Sequence, residues 1–333
     1  MDIDVRPVDP HDDGALAARH AVSAAALAHD VPDFPPPCPA RYAGPLRFPG
    51  KSDVVLGWLA DLDGAPAGVL TLTLPQLDNT GTAKVELQVA PGYRRRGVGR
   101  TLYPHAVEVA RTHDRVRMTG DYVSALPDGV PRDGAGTAFA TAMGAKDALV
   151  EVRRRLDLST MDTATLAAPV APGYSLVYWR DRAPEEYLSD IGRLDGRLVL
   201  DAPMGDLVVE PWNADADRIR DHEEVQVKRG TRAYHTGVRH DASGALVAWT
   251  TLGFEQSIPH HAWQWITIVD PAHRGHRLGA CVKVANLRYA ISHEPALRTV
   301  DTWNAATNRH MIAINEELGF RAVDAWTQWQ HEI

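Results

Sequence analysis

Two short turns carry the densest concentration of chemistry-bearing residues in this 333-residue chain. The first runs Arg94-Arg95-Arg96-Gly97-Val98-Gly99-Arg100 and follows the strand-like KVELQVA. The second runs His273-Arg274-Gly275-His276-Arg277-Leu278-Gly279 and follows WQWITIV. Each passes directly into a segment with helical character. Main-chain N–H groups in such a turn, with the first orphan N–H groups of the helix, make an anion site, and a phosphate is the natural occupant. Neither turn ends in GK[ST], and Gly97-Val98-Gly99 is not followed by the last glycine of GxGxxG, so ATP and NAD loops lose ground. The candidate cradle is therefore the amides of Gly275, His276, Arg277, Leu278, Gly279 and Ala280, with Arg274 and Arg277 as charge partners; the bland alternative is a solvated turn clamped by nearby acids. The matching first-half site is Val89, Arg94, Arg95 and Arg96, then Gly97, Val98, Gly99 and Arg100.

The elements that position these turns repeat. Pro91, Arg94 and Gly99 recur as Pro271, Arg274 and Gly279, each at an offset of 180 residues. Before the first turn lie VVLGWLA and AGVLTLTL, separated by Asp63-Gly64; before the second lie YHTGVRH and ALVAWTTLGF, separated by Ser243-Gly244. Both pairs read as hairpins. After the second turn, Cys281, Val284, Leu287 and Ile291 share one helix face. Pro32 through Pro39 interrupts helix, and Asn308 to Gly319 reads as a late helix before a last strand, AVDAWTQWQ. Two copies of one α/β (α+β) unit follow, with boundaries expected at 1–165, a connector at 166–185 and a second domain at 186–333.

The spacing RxxGxG, written by Arg94, Gly97 and Gly99, resembles the pyrophosphate-binding signature of the GNAT superfamily of acyl-CoA-dependent N-acetyltransferases. Asn308, Met311, Asn315, Gly319 and Phe320 resemble that superfamily's later NxxA…YxxxGF helix, with Asn315 where a general-acid tyrosine often stands. In the second turn Arg277 replaces the middle glycine. The double arrangement is similar to tandem acetyltransferases such as mycothiol synthase, and to actinobacterial proteins carrying HRGHRLG, TWNAxxN and NEELGF. The resemblance implies two tandem domains, each a mixed, mostly antiparallel splayed sheet flanked by helices. It further implies acetyl-CoA as donor and a small or medium primary amine as acceptor, attacking directly in a ternary complex. Thr267, Ile268 and Val269 would then hold the donor's amides through their backbone, with Asn304 and Asn308 as further cofactor contacts or simply helix and strand-end caps. In the first copy the late motif is poor: the 180-residue offset meets Asp128, Phe139 and Ala140, and matching Gly144-Ala145 to Gly319-Phe320 needs a change of loop length. Chemistry is accordingly expected in the second half, with the first half degenerate.

For the base that takes the ammonium proton, Glu255 at the end of an apolar strand leads, with His235 and Glu224 as alternatives and Glu86 as a first-copy analogue. An exposed strand-end acid is the plain explanation for Glu255. Cys281 reads as packing, since its spacing is that of an apolar helix face.

Composition bounds the rest. Hydrophobic residues at 44% exclude a mainly disordered chain, and a net charge of −8 disfavours nucleic acid, which needs a basic footprint. Two cysteines without ligand spacing argue against a disulfide scaffold or a metal site. The acidic start, MDIDVRPVDPHDDG, lacks a signal-peptide pattern, and no segment reaches roughly 18 uncharged apolar residues. The expectation is a cytoplasmic protein without a membrane partner, monomeric rather than dimeric because the duplicated unit could pair internally. The competing functional class is a non-catalytic acyl-CoA-binding or interaction protein built on the duplicated fold.

Overall fold

The computed structural model describes residues 2–162 and 166–333. The expected end of the first domain, at 165, falls outside them. The chain forms two compact units. One holds the chain up to Glu151 together with Met204–Val209 and Asp324–Ile333; the other holds Val152–Pro203 and Glu210–Val323.

In the first unit β1 (Ile3–Pro7) precedes α1 (Asp13–Asp30), whose N-cap Asp12 accepts from the Ala15 amide at 2.9 Å. The proline-rich stretch that follows stays out of helix until Pro39 takes the first turn of α2 (Pro39–Arg47), where its missing N–H costs no bond. β2 (Asp53–Leu62) and β3 (Ala65–Pro75) form a hairpin around Asp63 and Gly64, both at positive φ (51° and 81°), as a two-residue hairpin turn requires. Then come β4 (Thr82–Val89), α3 (Val98–Thr112), β5 (Arg117–Ala125), α4 (Ala135–Ala142) and β6 (Lys146–Asp157). The second unit repeats the plan with β7 (Tyr174–Arg180), α5 (Leu188–Gly196), α6 (Leu198–Asp201), α7 (Ala216–Lys228), β8 (Thr231–His240) and β9 (Leu246–Glu255). It continues with β10 (His261–Val269), α8 (Leu278–His293), β11 (Thr299–Ala305) and α9 (Arg309–Glu317); in the last strand, β12 (Arg321–Glu332), the residues from Asp324 onward belong to the first unit.

Strand order in the first unit is β1-β2-β3-β4-β5-β12, with Asp324↔Ala125 through Glu332↔Arg117 fixing the antiparallel β5–β12 register. In the second unit it is β6-β11-β10-β9-β8-β7, β6 contributing from Val152 onward. Each unit thus takes its closing strand from a distant part of the chain. Trp329 of β12 packs into the first core with Leu70, Leu72 and Leu102, while Leu156 of β6 joins Leu252, Phe254, Leu287 and Phe320 in the second.

Among the described strand registers, each unit is antiparallel except at one central pair. β4 pairs parallel with β5 from Thr82↔Arg117 to Lys84↔Thr119, and β10 pairs parallel with β11 from His261↔Thr299 to Gln264↔Thr302. Beyond those pairs β4 and β10 continue to Val89 and Val269 without a described partner on that side, so the strands part on the way to the two arginine-glycine turns. β10 also carries a register shift against β9 between Gln264 and Thr267. The splay is present in both units, as the resemblance implies.

Candidate functional site: two arginine-glycine turns at parted strands

The two turns share a backbone. Arg95 and Gly97 have φ of 62° and 96°; their counterparts Gly275 and Arg277 have φ of 85° and 57°. Both turns therefore need the same two left-handed residues, and the glycine has merely changed place within each pair. This accounts for Arg277 where the motif has glycine. Left-handed backbone at alternate positions turns successive N–H groups toward one side, the concave arrangement that binds anions. Neither α3 nor α8 has a side-chain N-cap hydrogen bond, whereas α1, α7 and α9 are capped by Asp12, Asp215 and Asn308. An added Cβ at Gly275 would meet nothing within 4 Å, so its surface is open to a ligand.

In the second unit the turn from Arg274 to Arg277 is exposed, while Leu278 and Gly279 are buried as α8 begins. His276 is also exposed, its ring 5.4 Å from that of Tyr174, and Ala280 is half-buried. Arg274 folds back to its own strand, Nε to the Val269 carbonyl at 3.4 Å, and its Nη2 meets Asp201 at 2.8 Å. Arg277 pairs with Glu317 of α9. Thr267 meets the Thr250 hydroxyl at 2.8 Å, and Ile268 is buried against α5. Asn308 is a helix cap, its Oδ1 accepting from Met311 at 3.2 Å. Asn304 accepts from Nδ2 of Asn315, which is fully buried and whose Oδ1 has no partner.

In the first unit Arg94 likewise bonds its strand, Nε to Val89 O at 3.1 Å, but its remaining donors are taken: Nη1 and Nη2 reach Asp30 at 2.7 Å and Nη1 reaches Asp133 at 2.8 Å. His29, Asp30 and Asp133 form the one described cluster with metal-ligand spacing, and Arg94 already supplies its positive charge. The Phe139 ring sits where an added Cβ at Gly99 would meet it at 3.0 Å; at Gly279 the nearest atoms are Ile314 and Val269 at 3.5 and 3.6 Å. Arg95, Arg96 and Arg100 are exposed and Val98 is buried.

The base candidates occupy different settings. Glu255, 3% exposed at the end of β9, accepts from the Trp263 indole at 3.1 Å. Glu224 is exposed on α7 and pairs with Lys228 at 2.6 Å. His235 on β8 is stacked on Trp179, its ring centroid 5.2 Å away at 6°, and burial pushes its pKa down to about 3 with the nearby charge of His222 adding to the effect. Glu86 is exposed on β4.

Sequence reasoning passes over Lys283. It lies one turn beyond Gly279 on α8, 3% exposed, with Nζ 5.3 Å from the centre of the Phe320 ring, and burial pushes its pKa down to about 7. The available signal is a single charge in the run from Leu278 to Leu287. Asp195 of α5 is missed too: burial raises its carboxyl to about 6, against the charge of Arg218. Cys281 is buried and reduced, and burial pushes its thiol up, as suits a packing residue.

A strand that parts from its parallel neighbour and passes through a left-handed turn into an uncapped helix is the layout that the resemblance to the GNAT superfamily implies. The acetyltransferase (GNAT) family model matches residues 25–122. A tandem GNAT protein from the clavulanic acid biosynthesis pathway is 38% identical, with a TM-score of 0.87 over 99% of this chain and 98% of that one. The chain belongs to the GNAT family and is a tandem member of it. A GCN5-related N-acetyltransferase from Sphaerobacter thermophilus (14% identical, TM-score 0.65, 99% of this chain and 95% of that) and a GNAT-family acetyltransferase from Colwellia psychrerythraea (11%, 0.57, 99% and 100%) share the fold. No curated protein matches the sequence. Among the described residues, no helix is long and apolar enough to cross a membrane.

Proposed function

We propose that this protein transfers an acetyl group from acetyl-CoA to a primary amine of a small or medium molecule, and that the second unit performs the transfer. The observation that carries the reading is the conjunction, in that unit, of the open Gly275–Gly279 turn with the parting of β10 from β11 beyond Gln264. The donor's diphosphate would lie on the amides of residues 275–280, with Arg274 and Arg277 adding charge from exposed positions. Its arm would run back along Thr267, Ile268 and Val269, whose edge β11 leaves free. Asn308 serves its helix, and Asn304, bonded to Asn315, would be a further contact from β11.

The chemistry needs proximity, a neutral amine and stabilisation of the developing oxyanion; no protein nucleophile takes part. The amine nitrogen attacks the thioester carbonyl, the carbon–sulfur bond breaks, and the proton lost by the amine ends on the thiolate or on a base. Glu255 is the preferred base, since its carboxylate sits at the end of the strand beside β10; Glu224 on α7 has solvent and Lys228 around it instead. Asn315 can position groups but cannot deliver a proton, so the thiolate takes its proton from the acceptor side.

The first-unit turn supports a structural role, because Phe139 covers Gly99 and two acids, Asp30 and Asp133, hold the half-buried Arg94, whereas one described acid, Asp201, meets the exposed Arg274. Membership of the GNAT family supports the choice of acetyl-CoA as donor. Incubation with acetyl-CoA and a panel of amines tests the reading: free thiol and acetylated amine must accumulate together. CoA binding without turnover across the panel would instead support an acyl-CoA-binding protein.

A further inference from the structure

Trp179, His235 and Thr251 lie side by side on β7, β8 and β9, cross-strand partners on one face of the second sheet. The His235 ring lies nearly parallel to both indoles that flank it, 5.2 Å from Trp179 at 6° and 6.2 Å from Trp249 at 19°. Its two nitrogens are in unlike situations. Nδ1 receives the Trp249 indole N–H at 3.3 Å and lies 2.9 Å from the Thr251 hydroxyl. An indole nitrogen can only donate, so the Trp249 contact assigns Nδ1 its lone pair, and a neutral imidazole then carries its hydrogen on Nε2; the opposite tautomer, donating from Nδ1 to Thr251, would leave the indole N–H without this acceptor. That Nε2 is buried and meets no acceptor within the protein.

A buried N–H without a partner is costly to the folded state, and the cost is relieved when a ligand supplies the acceptor. The group is also a poor base. Its lone pair is already engaged, and burial disfavours the imidazolium, with the nearby charge of His222 on α7 adding to the effect. We propose that His235 is a neutral hydrogen-bond donor whose Nε2–H binds an oxygen on the amine acceptor, a hydroxyl, carbonyl or carboxylate seated beside the two indoles. This rests on the transferase reading of the second unit, and it removes His235 from the bases while leaving Glu255 in place. The acceptor class becomes an amino alcohol, amino acid or amino amide rather than a plain alkylamine.

Two measurements test it. In protein labelled with nitrogen-15 in its histidines, the His235 signals should be those of the neutral Nε2–H form throughout the range from about pH 5 to 8, in which an ordinary histidine titrates. A shift to the imidazolium form in that range, or a proton on Nδ1, would overturn the assignment. In turnover, matched pairs of acceptors are compared with acetyl-CoA: ethanolamine against ethylamine, an amino acid against its decarboxylated amine. Wild type should favour the oxygen-bearing member by about tenfold in kcat/KM, the worth of one well-made hydrogen bond. His235→Phe, which keeps the stacking, should bring that ratio toward one through KM, and His235→Gln, which keeps an N–H, should retain part of it. An unchanged ratio in His235→Phe sinks the inference while acetyl transfer itself stands. If no amine is acetylated, the transferase reading fails, and the Nε2–H resonance still decides: movement on adding ethanolamine but not ethylamine supports the donor role, and no movement with either at saturation rejects it.

Discussion

Arg277 holds at φ 57° the left-handed backbone position that Gly97 holds at φ 96° in the first turn. A non-glycine residue there costs roughly 1 kcal/mol, and Arg277 offsets only a little of it through an exposed pair with Glu317. Arg277→Gly should therefore stabilise the protein by about 0.5–1 kcal/mol and leave CoA affinity within a few-fold, because in the proposed complex the amide rather than the guanidinium would face the diphosphate. Gly275→Val, at φ 85°, should cost about 1–2 kcal/mol and weaken CoA binding. Urea unfolding and calorimetric titration with CoA check both; a large loss of affinity in Arg277→Gly would show that side-chain charge holds the donor.

Gly279 and Cys281 separate close approach from reactivity. An added Cβ at Gly279 would meet Ile314 and Val269 at ordinary distances, so Gly279→Ala should fold and bind CoA. Gly279→Trp should lose more than about tenfold in CoA affinity, at least ~1.4 kcal/mol, because the indole would occupy the space next to the proposed cradle. Cys281→Ala should keep both binding and turnover, since the thiol is buried and its ionisation is suppressed. Equal CoA affinity in wild type and Gly279→Trp would place the ligand elsewhere.

Much of this site is legible in the order of the amino acids. The Asp63-Gly64 turn needs positive φ at both positions, and only a few residue types accept that, so the hairpin announces itself. The 180-residue repeat survives for the same reason: the turns need two left-handed residues whichever one is glycine. The late motif of the first half is shifted, with Gly144 and Gly319 both at positive φ after their helices, so the loop-length change is real. What the sequence hides is long-range. The alternation in AVDAWTQWQ fits an antiparallel strand beside either sheet, and nothing local says that Asp324 onward pairs with β5. Helices α5 to α7 escape a pattern reading because LSDIGRLDG holds two glycines and ADRIRDHEEVQVK buries only Ile219 and Val225. The state of His235 depends on Trp249 and Thr251 from another strand, which spacing cannot show.

Asp301 tests the second unit's framework. Its carboxylate, with no exposed surface, takes two hydrogen bonds from Arg155 at 2.7 and 2.6 Å and one from Arg153 at 3.1 Å, with His261 at 3.2 Å. Burial alone would raise its pKa, but the bonds and charges of Arg155 and His261 outweigh that and hold it well below the usual carboxylate range. Asp301→Asn would remove the counter-charge that the fully buried Arg153 faces, and should cost about 3–5 kcal/mol by urea unfolding. Adding Arg153→Met should recover part of the loss, since removing both members of a buried pair costs less than removing one. Additive losses in the double variant would contradict that account.

Lys283 sets a pH dependence opposite to the one expected of paired carboxylates. Burial lowers its pKa from 10.5 to about 7, and its ammonium has the Phe320 ring as its described neighbour. The folded-state value lies below the unfolded one, so between the two the unfolded chain binds a proton that the folded chain does not. Stability must then rise with pH across that window, and the full penalty of confining an ammonium applies below about pH 7. Wild type should gain up to about 2 kcal/mol between roughly pH 7 and 9, while Lys283→Met, free of the buried amine, should start higher by a similar amount and stay flat. The difference between the two curves isolates this residue from every other titrating group. Parallel curves would mean that the Lys283 ammonium reaches solvent or a counter-ion, and that α8 beyond Gly279 is less tightly closed than its burial indicates.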